Sequence, residues 1–200
     1  MSEIAEWFTA IGTIATAIVA VFVSFLPSLT RRRNRPKFAI EFENKEPFCR
    51  HNRTWFGVLA DSRREGPVST YWVRLRVKNA GRSIARGCEG KLVRIADVTT
   101  NEDRKDFDPV VLHWVGTTHN PIDINKSEYE YLDVIFTRAD NPKVFCIHCE
   151  EKEPRAINLC PERKDYILQI VLYGKNVEPL QKSFYLKNHE EYDKIKLSPI

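Results

Sequence analysis

Three of the five cysteines have the residue types and spacing of a zinc site. Two residues separate Cys146 from Cys149, His148 lies between them, and Cys160 follows further along the chain. Thiolate and imidazole are the ligands that zinc prefers, and a Cys-x-x-Cys pair is a common zinc spacing. The surrounding residues read as a strand, however, in which Cys146 and Cys149 would point to opposite faces. Buried or idle thiols are therefore the favoured interpretation, with zinc binding as an alternative.

Other chemistry-bearing residues do not form a motif. Cys88 shares its strand parity with Leu92, which favours a small core residue over a nucleophile. His113 and Trp114 are adjacent in a strand and must face opposite ways, and Trp114 is predicted to be buried. There is no DxD, HExxH or glycine-rich phosphate signature. The sequence thus predicts no catalytic activity and no cofactor.

The elements that would position these residues are short strands with alternating apolar side chains. Between Tyr71 and Lys78 the residues alternate, which predicts one core face and one solvent face. The predicted core face consists of Tyr71, Val73, Leu75 and Val77, and the predicted solvent face consists of Trp72, Arg74, Arg76 and Lys78. The segment from Tyr166 to Tyr173 is apolar on both parities and should be a central strand. Eight strands are predicted: Phe38 to Phe42, Tyr71 to Lys78, Ile84 to Ile95, Pro109 to Val115, Tyr129 to Thr137, Lys143 to Cys149, Tyr166 to Tyr173, and Leu180 to Lys187.

Strands at this spacing, without helical periodicity between them, predict an all-β antiparallel sandwich or barrel. Two segments lack the pattern, 45–68 and 150–164. The first is too long for a plain loop, so a short helix around residues 54–60 or a functional insertion is expected there.

The run Val73-Arg-Leu-Arg-Val-Lys-Asn-Ala-Gly81, followed by Ile84-Ala85, resembles the strand-Asn-x-Gly-strand unit of immunoglobulin-like modules of the CARDB type. The likeness continues through Ile124 to Val134 and spans about residues 38–188. An Asn-x-Gly turn between amphipathic strands is also what hairpin physics favours in many folds. The resemblance implies an immunoglobulin-like β-sandwich of about eight strands in residues 38–200. Those modules usually act outside cells as spacers or adhesive units.

The N-terminal residues have the composition of a membrane anchor. No charged side chain occurs from Trp7 to Thr30, and a helix from Trp7 to Leu29 would be about 34 Å long, against about 30 Å for the hydrocarbon core. A secretory signal peptide would begin with basic residues, whereas this chain begins with Glu3 and Glu6. A transmembrane helix is thus predicted in residues 1–30.

A basic linker, residues 31–37, follows the predicted helix. No basic residue precedes that helix, so the N-terminus is predicted to be outside and the domain cytoplasmic, at the inner membrane. Beyond residue 37, 26 basic and 25 acidic residues remain. This near balance predicts no nucleic-acid partner and assigns the positive charge to lipid headgroups. The residues predicted to contact headgroups are Arg31, Arg32, Arg33, Arg35 and Lys37.

Small side chains recur along one face of the predicted helix, at Gly12, Thr16, Ala20 and Ser24. Such a face permits close helix packing, which predicts a possible homo-oligomer. The whole layout also resembles prokaryotic membrane-anchored proteins without an assigned activity. The leading hypothesis is a membrane-tethered cytoplasmic interaction or sensor module that binds an unidentified protein or small ligand. The alternatives are a small membrane effector whose associating helices disturb the bilayer, and a zinc-binding protein that uses the cysteine cluster.

Overall fold

The computed structural model describes residues 7, 13–23, 34–54, 67–117, 120–142, 144–149, 155–157, 164–188 and 191–200, with residues 155–157 described by their backbone alone. The chain forms two compact units, Met1–Arg35 and Pro36–Ile200.

The described part of the first unit is mainly helical. Residue 7 and residues 13–23 have helical backbones, and apolar side chains there are exposed, with Ile18 at 53% and Phe22 at 64%. Among the described residues, no helix has both the length and the apolar character needed to cross a membrane. Part of the predicted span, residues 1–30, lies outside the described residues, so the span stays a prediction.

The second unit is built from strands. Each of the eight predicted segments contains strand, but Pro109 to Val115 is divided into two short strands that pair in different sheets. The prediction of eight was also too low, because short strands with little alternation were missed. The described residues form thirteen strands: β1 (Phe38–Glu41), β2 (Cys49–Thr54), β3 (Val68–Asn79), β4 (Ala85–Asp97), β5 (Val110–Val111), β6 (His113–Trp114), β7 (Ile122–Ile124), β8 (Tyr129–Arg138), β9 (Phe145–Ile147), β10 (Arg155–Ile157), β11 (Tyr166–Tyr173), β12 (Leu180–Lys187) and β13 (Lys196–Pro199).

These strands form two antiparallel sheets, which confirms the all-β sandwich. The first sheet has the order β1-β3-β8-β9-β10, with β2 also on β3 and β6 on β8. The second has the order β13-β12-β11-β4-β5, with β7 also on β4. Strand β11 lies between β12 and β4, so the predicted central strand is confirmed. The predicted helix around residues 54–60 begins where β2 ends, and residues 55–66 lie outside the described residues.

The main core lies between the two sheets. Leu75 and Leu132 from the first sheet and Leu168 and Phe184 from the second belong to one buried cluster. At 25 cal/mol per Å² of buried apolar surface, side chains of this size each contribute about 2 kcal/mol to folding. Trp114 is 1% exposed and belongs to the same cluster, so its predicted burial is confirmed.

The Asn79-Ala-Gly81 turn does not close a hairpin. β3 belongs to the first sheet and β4 to the second, so the chain crosses between sheets at this turn. Asn79 is fully buried, and its Nδ2 donates hydrogen bonds to the carbonyls of Ser83 and Ile124 at 2.7 and 3.0 Å. Its Oδ1 accepts from the backbone N–H groups of Gly81 and Lys37. The asparagine therefore ties the crossing to both neighbouring segments.

The prediction for Cys88 is confirmed. Its side chain is fully buried in the main core. The pairing of β4 with β7 shifts register between Ala85 and Cys88, and Gly87 between them has φ of 59°. A left-handed glycine of this kind forms a β-bulge at low conformational cost.

Candidate functional site

The outer face of the first sheet, which points away from the main core, carries the candidate site. Along β3 the alternation sends Val73, Leu75 and Val77 into the core and therefore sends Arg74 and Arg76 outward. The antiparallel register sets Arg74 opposite Asp133 of β8 and Arg76 opposite Tyr131. Residues that are distant in sequence thus become direct cross-strand neighbours.

Asp133 is the buried centre of a polar cluster. Its side chain is 5% exposed, and Nε of Arg74 donates a hydrogen bond to its Oδ1 at 2.6 Å. Nδ1 of His148, just after β9, lies 3.1 Å from the other carboxylate oxygen. Because a carboxylate only accepts hydrogen bonds, Nδ1 carries the hydrogen of this contact. One buried carboxylate therefore orients both an arginine and a histidine; we call these residues, with His113 and Trp72, the Asp133 cluster.

Rings complete the Asp133 cluster. The His113 and His148 rings have centroids 4.4 Å apart, and Trp72 meets His148 edge-on at 5.2 Å. The guanidinium carbon of Arg74 lies 5.9 Å from the centroid of Trp72, within cation–π range. Trp72 also stacks on Phe136 at 4.4 Å, so the solvent face predicted for Trp72 is wrong. Trp72 is buried in a second, small apolar cluster, which it forms with Phe136 and Cys146 on the outer side of the sheet.

The same face carries a second group next to the Asp133 cluster. We call it the Arg76 cluster, and it consists of Arg76, Glu41, Phe48, Tyr129 and Tyr131. Nε of Arg76 donates to Oε2 of Glu41 at 2.8 Å, and Nη2 donates to the same oxygen. This bond raises the pKa of Arg76 above its usual value. The guanidinium carbon lies 5.3 Å from the Phe48 ring centroid and 5.0 Å from that of Tyr129. A partly exposed arginine thereby lies within cation–π range of two aromatic rings.

The Asp133 cluster resembles half of a hydrolytic site, because a carboxylate orients a histidine through Nδ1. A nucleophile would have to approach the other ring nitrogen. Within the described residues, His148 makes no hydrogen bond to a serine, threonine or cysteine side chain. Arg74 also competes for the charge of Asp133. This arrangement is suited to holding side chains in a fixed orientation, which is what a binding surface needs.

Two of the predicted zinc ligands, Cys146 and Cys149, belong to different buried clusters. Cys146 packs on the outer side with Trp72 and Phe136, whereas Cys149 belongs to the main core and forms a bridge with Leu112. Burial raises the pKa of the Cys146 thiol to about 11. No group of three or more His, Cys, Asp or Glu side chains that could hold a metal occurs in the described part of the chain. Cys160, the third predicted ligand, lies outside the described residues.

The residues predicted for the membrane are described only in part. Thr16 and Ala20 lie in the helical segment 13–23 and are exposed, while Gly12 and Ser24 lie outside the described residues. Of the predicted headgroup contacts, Arg35 and Lys37 are described and exposed. The other three, Arg31, Arg32 and Arg33, lie outside the described residues.

Sequence reasoning missed Asp133, Arg74 and His148 as a group. His113 and Trp114 face opposite ways, as their adjacent positions in the strand predicted. Trp114 enters the core, whereas His113 lies against His148. One local signal was present, an aspartate inside the otherwise apolar run Leu-Asp-Val-Ile-Phe of β8, since a charge is rarely buried without a partner. Comparison of the chain with known protein families, with curated proteins and with solved structures found no match in any of the three.

Proposed function

We propose that the protein is a membrane-tethered interaction or sensor module without catalytic activity, whose immunoglobulin-like β-sandwich binds a protein partner through the outer face of the first sheet. The observation that carries this proposal is the Arg76 cluster, where Arg76, Tyr129 and Tyr131 stand together on one face. Arginine and tyrosine are enriched where protein interfaces concentrate their binding energy. The side chain of Arg76 is 31% exposed and Tyr129 is 47% exposed.

The clusters of this face are held in place before any partner binds. Glu41 and two aromatic rings fix Arg76, and Asp133 and Trp72 fix Arg74. Immobilising a flexible side chain on binding costs about 0.5–1.5 kcal/mol. Side chains that are already ordered avoid most of that cost, which supports a role in recognition.

The tether is proposed from the sequence of the first unit. The charge-free run from Trp7 to Thr30 and the following arginines support a single-pass anchor with a cytoplasmic domain. The exposed apolar side chains of residues 13–23 need an apolar environment to cover them. Detection of the full chain in membranes after alkaline carbonate extraction, and its loss when residues 1–35 are deleted, would support the tether. Full extraction of the intact chain would contradict it.

Site-specific photo-crosslinking in cells tests the binding face. A benzoylphenylalanine at Tyr129 should give a discrete adduct of higher mass, because this ring lies on the proposed interface. Tyr173 is the matched control, since it is 38% exposed but ends β11 in the second sheet. Equal adducts at both positions, or none at Tyr129, would contradict the proposed face.

Substitution of Arg76 in the Arg76 cluster provides a second test of the proposed binding face. Arg76→Ala should reduce the Tyr129 adduct at least tenfold, since an interface arginine of this kind commonly contributes more than about 1.4 kcal/mol. Arg86→Ala is the control, because Arg86 is exposed on β4 in the second sheet. A Tyr129 adduct that survives Arg76→Ala unchanged would show that this face is not the recognition surface.

Homo-oligomerisation through the helix belongs to the same proposal. Thr16→Leu combined with Ala20→Ile should weaken self-association of the full chain in a bilayer reporter assay, because larger side chains keep helix backbones apart. Ile14→Leu with Ile18→Leu is the control pair, as it conserves side-chain volume at exposed positions. Unchanged association in the Thr16 and Ala20 variant would refute the role of this face.

A further inference from the structure

A cleft lies at one open side of the β-sandwich, next to the Glu41–Arg76 pair of the Arg76 cluster. It has a volume of about 320 Å³ and lies between β1 of the first sheet and β12 and β13 of the second. Its apolar lining comes from Ile40, Phe42, Phe184 and Pro199, and its charged lining comes from Glu41, Glu43, Arg76 and Lys182. Small-molecule sites typically have volumes of about 300–1,000 Å³, so this cleft can hold a compact ligand.

Lys182 enters this cleft from a position that the strand pattern assigns to the interior. Phe184 and Leu186 alternate with it along β12 and are buried in the main core, and Leu180 packs against the same core. Side chains two apart in a strand face the same way, so Lys182 points toward the space between the sheets. It is half-buried there and lines the cleft.

The charges around the cleft leave Lys182 without a counter-ion. Glu41 is paired with Arg76, and Glu43 is paired with Lys45 outside the cleft. Among the described residues, no carboxylate forms an ion pair with Lys182. The cleft therefore combines apolar walls, two of them aromatic, with one uncompensated cation.

We propose that this cleft binds an amphipathic monocarboxylic acid, with the apolar part against Phe42 and Phe184 and the carboxylate on Nζ of Lys182. Because Glu41 and Glu43 are paired with other cations, Lys182 favours an anionic ligand, and the apolar walls favour a hydrophobic body. The proposal does not rest on the protein-binding face, because it depends on Lys182 and the apolar walls, although the cleft adjoins that face through Glu41 and Arg76. The simplest competing explanation is edge protection: β13 covers only Phe184 to Lys187 of β12, and an inward lysine in the uncovered first part of β12 would block aberrant strand pairing there.

Ligand-observed fluorine NMR with the full chain in detergent separates these explanations. The probes are 3-(4-fluorophenyl)propanoate, the corresponding propanol and the corresponding propylamine, with protein-free micelles as the blank. The acid should bind saturably, the alcohol at least tenfold more weakly, and the amine more weakly still. A charge-assisted hydrogen bond contributes about 1.5–3 kcal/mol, which corresponds to this tenfold difference or more.

Variants of β12 then test the role of Lys182. Lys182→Gln should lower the affinity for the acid about tenfold, to that of the alcohol, while Lys182→Arg should retain most of it. Lys187→Gln is the control, since Lys187 lies on the same strand but is exposed. If Lys182→Gln fails to fold by circular dichroism, the acid-to-alcohol ratio in the unsubstituted chain and in Lys182→Arg decides.

Three results would overturn the proposal: no saturable binding of the acid, equal binding of the acid and the alcohol, or unchanged acid affinity in Lys182→Gln. The edge-protection explanation would be established by two results together. The unsubstituted chain would bind the acid and the alcohol equally, and Lys182→Gln would self-associate.

Discussion

Arg74 of β3 and Asp133 of β8 stand opposite each other in the register of the first sheet, and the guanidinium donates a 2.6 Å hydrogen bond to a carboxylate that is 5% exposed. The arginine side chain is 13% exposed. Removing one partner of such a pair leaves a charge that is largely shielded from water, which costs more than the pair itself contributes.

Asp133→Asn should therefore lower the free energy of unfolding by about 3 kcal/mol. Urea denaturation of the full chain, followed by tryptophan fluorescence, measures the change. Asp106→Asn is the control, because Asp106 pairs with Arg104 at 2.7 Å but its side chain is 65% exposed, and exposed pairs contribute less than about 1 kcal/mol.

The double variant Arg74→Met with Asp133→Leu separates charge from packing. We expect it to recover more than half of the loss seen in Asp133→Asn, since it removes both charges and keeps apolar volume. A double variant as unstable as the single one would show that packing, and not the unpaired charge, causes the loss.

Asn79→Asp should destabilise the crossing between the sheets by about 2–4 kcal/mol, because the new oxygen would face the carbonyls of Ser83 and Ile124 where an NH₂ group now donates. The shift of the urea midpoint reports the loss. Asn176→Asp is the matched control: the Asn176 side chain also bridges a carbonyl and an N–H, those of Ile84 and Arg86, but at the surface. Similar losses in the two variants would contradict the role of burial.

Gly90→Ala should destabilise the protein by about 1–3 kcal/mol through overpacking. An added Cβ at Gly90 would lie 2.3 Å from Cδ2 of Leu132, a residue that is fully buried in the core. Thermal unfolding of Gly90→Ala, of Leu132→Ala and of the double variant gives the coupling. We expect the double variant to lose less than the sum of the two single variants, and strict additivity would argue against this clash.

Burial raises the thiol pKa of both Cys88 and Cys146 to about 11, from the ordinary value of 9.0. At pH 8 about one thiol in a thousand is then ionised, so iodoacetamide should label these positions slowly in the folded protein. Site-resolved mass spectrometry measures the labelling, and chain unfolded in urea is the control. Rapid labelling of the folded protein at either site would contradict its burial.

The same shift predicts how stability depends on pH. Between pH 9 and about pH 11 the unfolded thiols lose protons that the folded thiols retain. The folded state then binds more protons, so the free energy of unfolding should fall as pH rises through this window. Cys146→Ala should reduce the slope of unfolding free energy against pH, and an unchanged slope would contradict the contribution of this thiol.

The sequence allowed most of the strands to be predicted, because alternation with period two is a local property. Seven of the eight predicted strands are present as single strands, β11 is central, and Cys88 and Trp114 are buried as their parity required. The eighth, Pro109 to Val115, is divided between the two sheets as β5 and β6. The short strands β7 and β13 were missed, since three or four residues carry too little pattern. Trp72 was assigned to solvent, because parity identifies the face of a strand but not what covers that face.

By itself the sequence determined the all-β class, the faces of the long strands, and the charge-free N-terminal run with its basic flank, all of which depend on residues close together in the chain. The tertiary structure alone decided that Asn79 marks a crossing between sheets and that Arg74 meets Asp133. It also placed His113 beside His148 and directed the side chain of Lys182 toward a cleft. These contacts depend on strand order and register, which are set by the packing of the whole core.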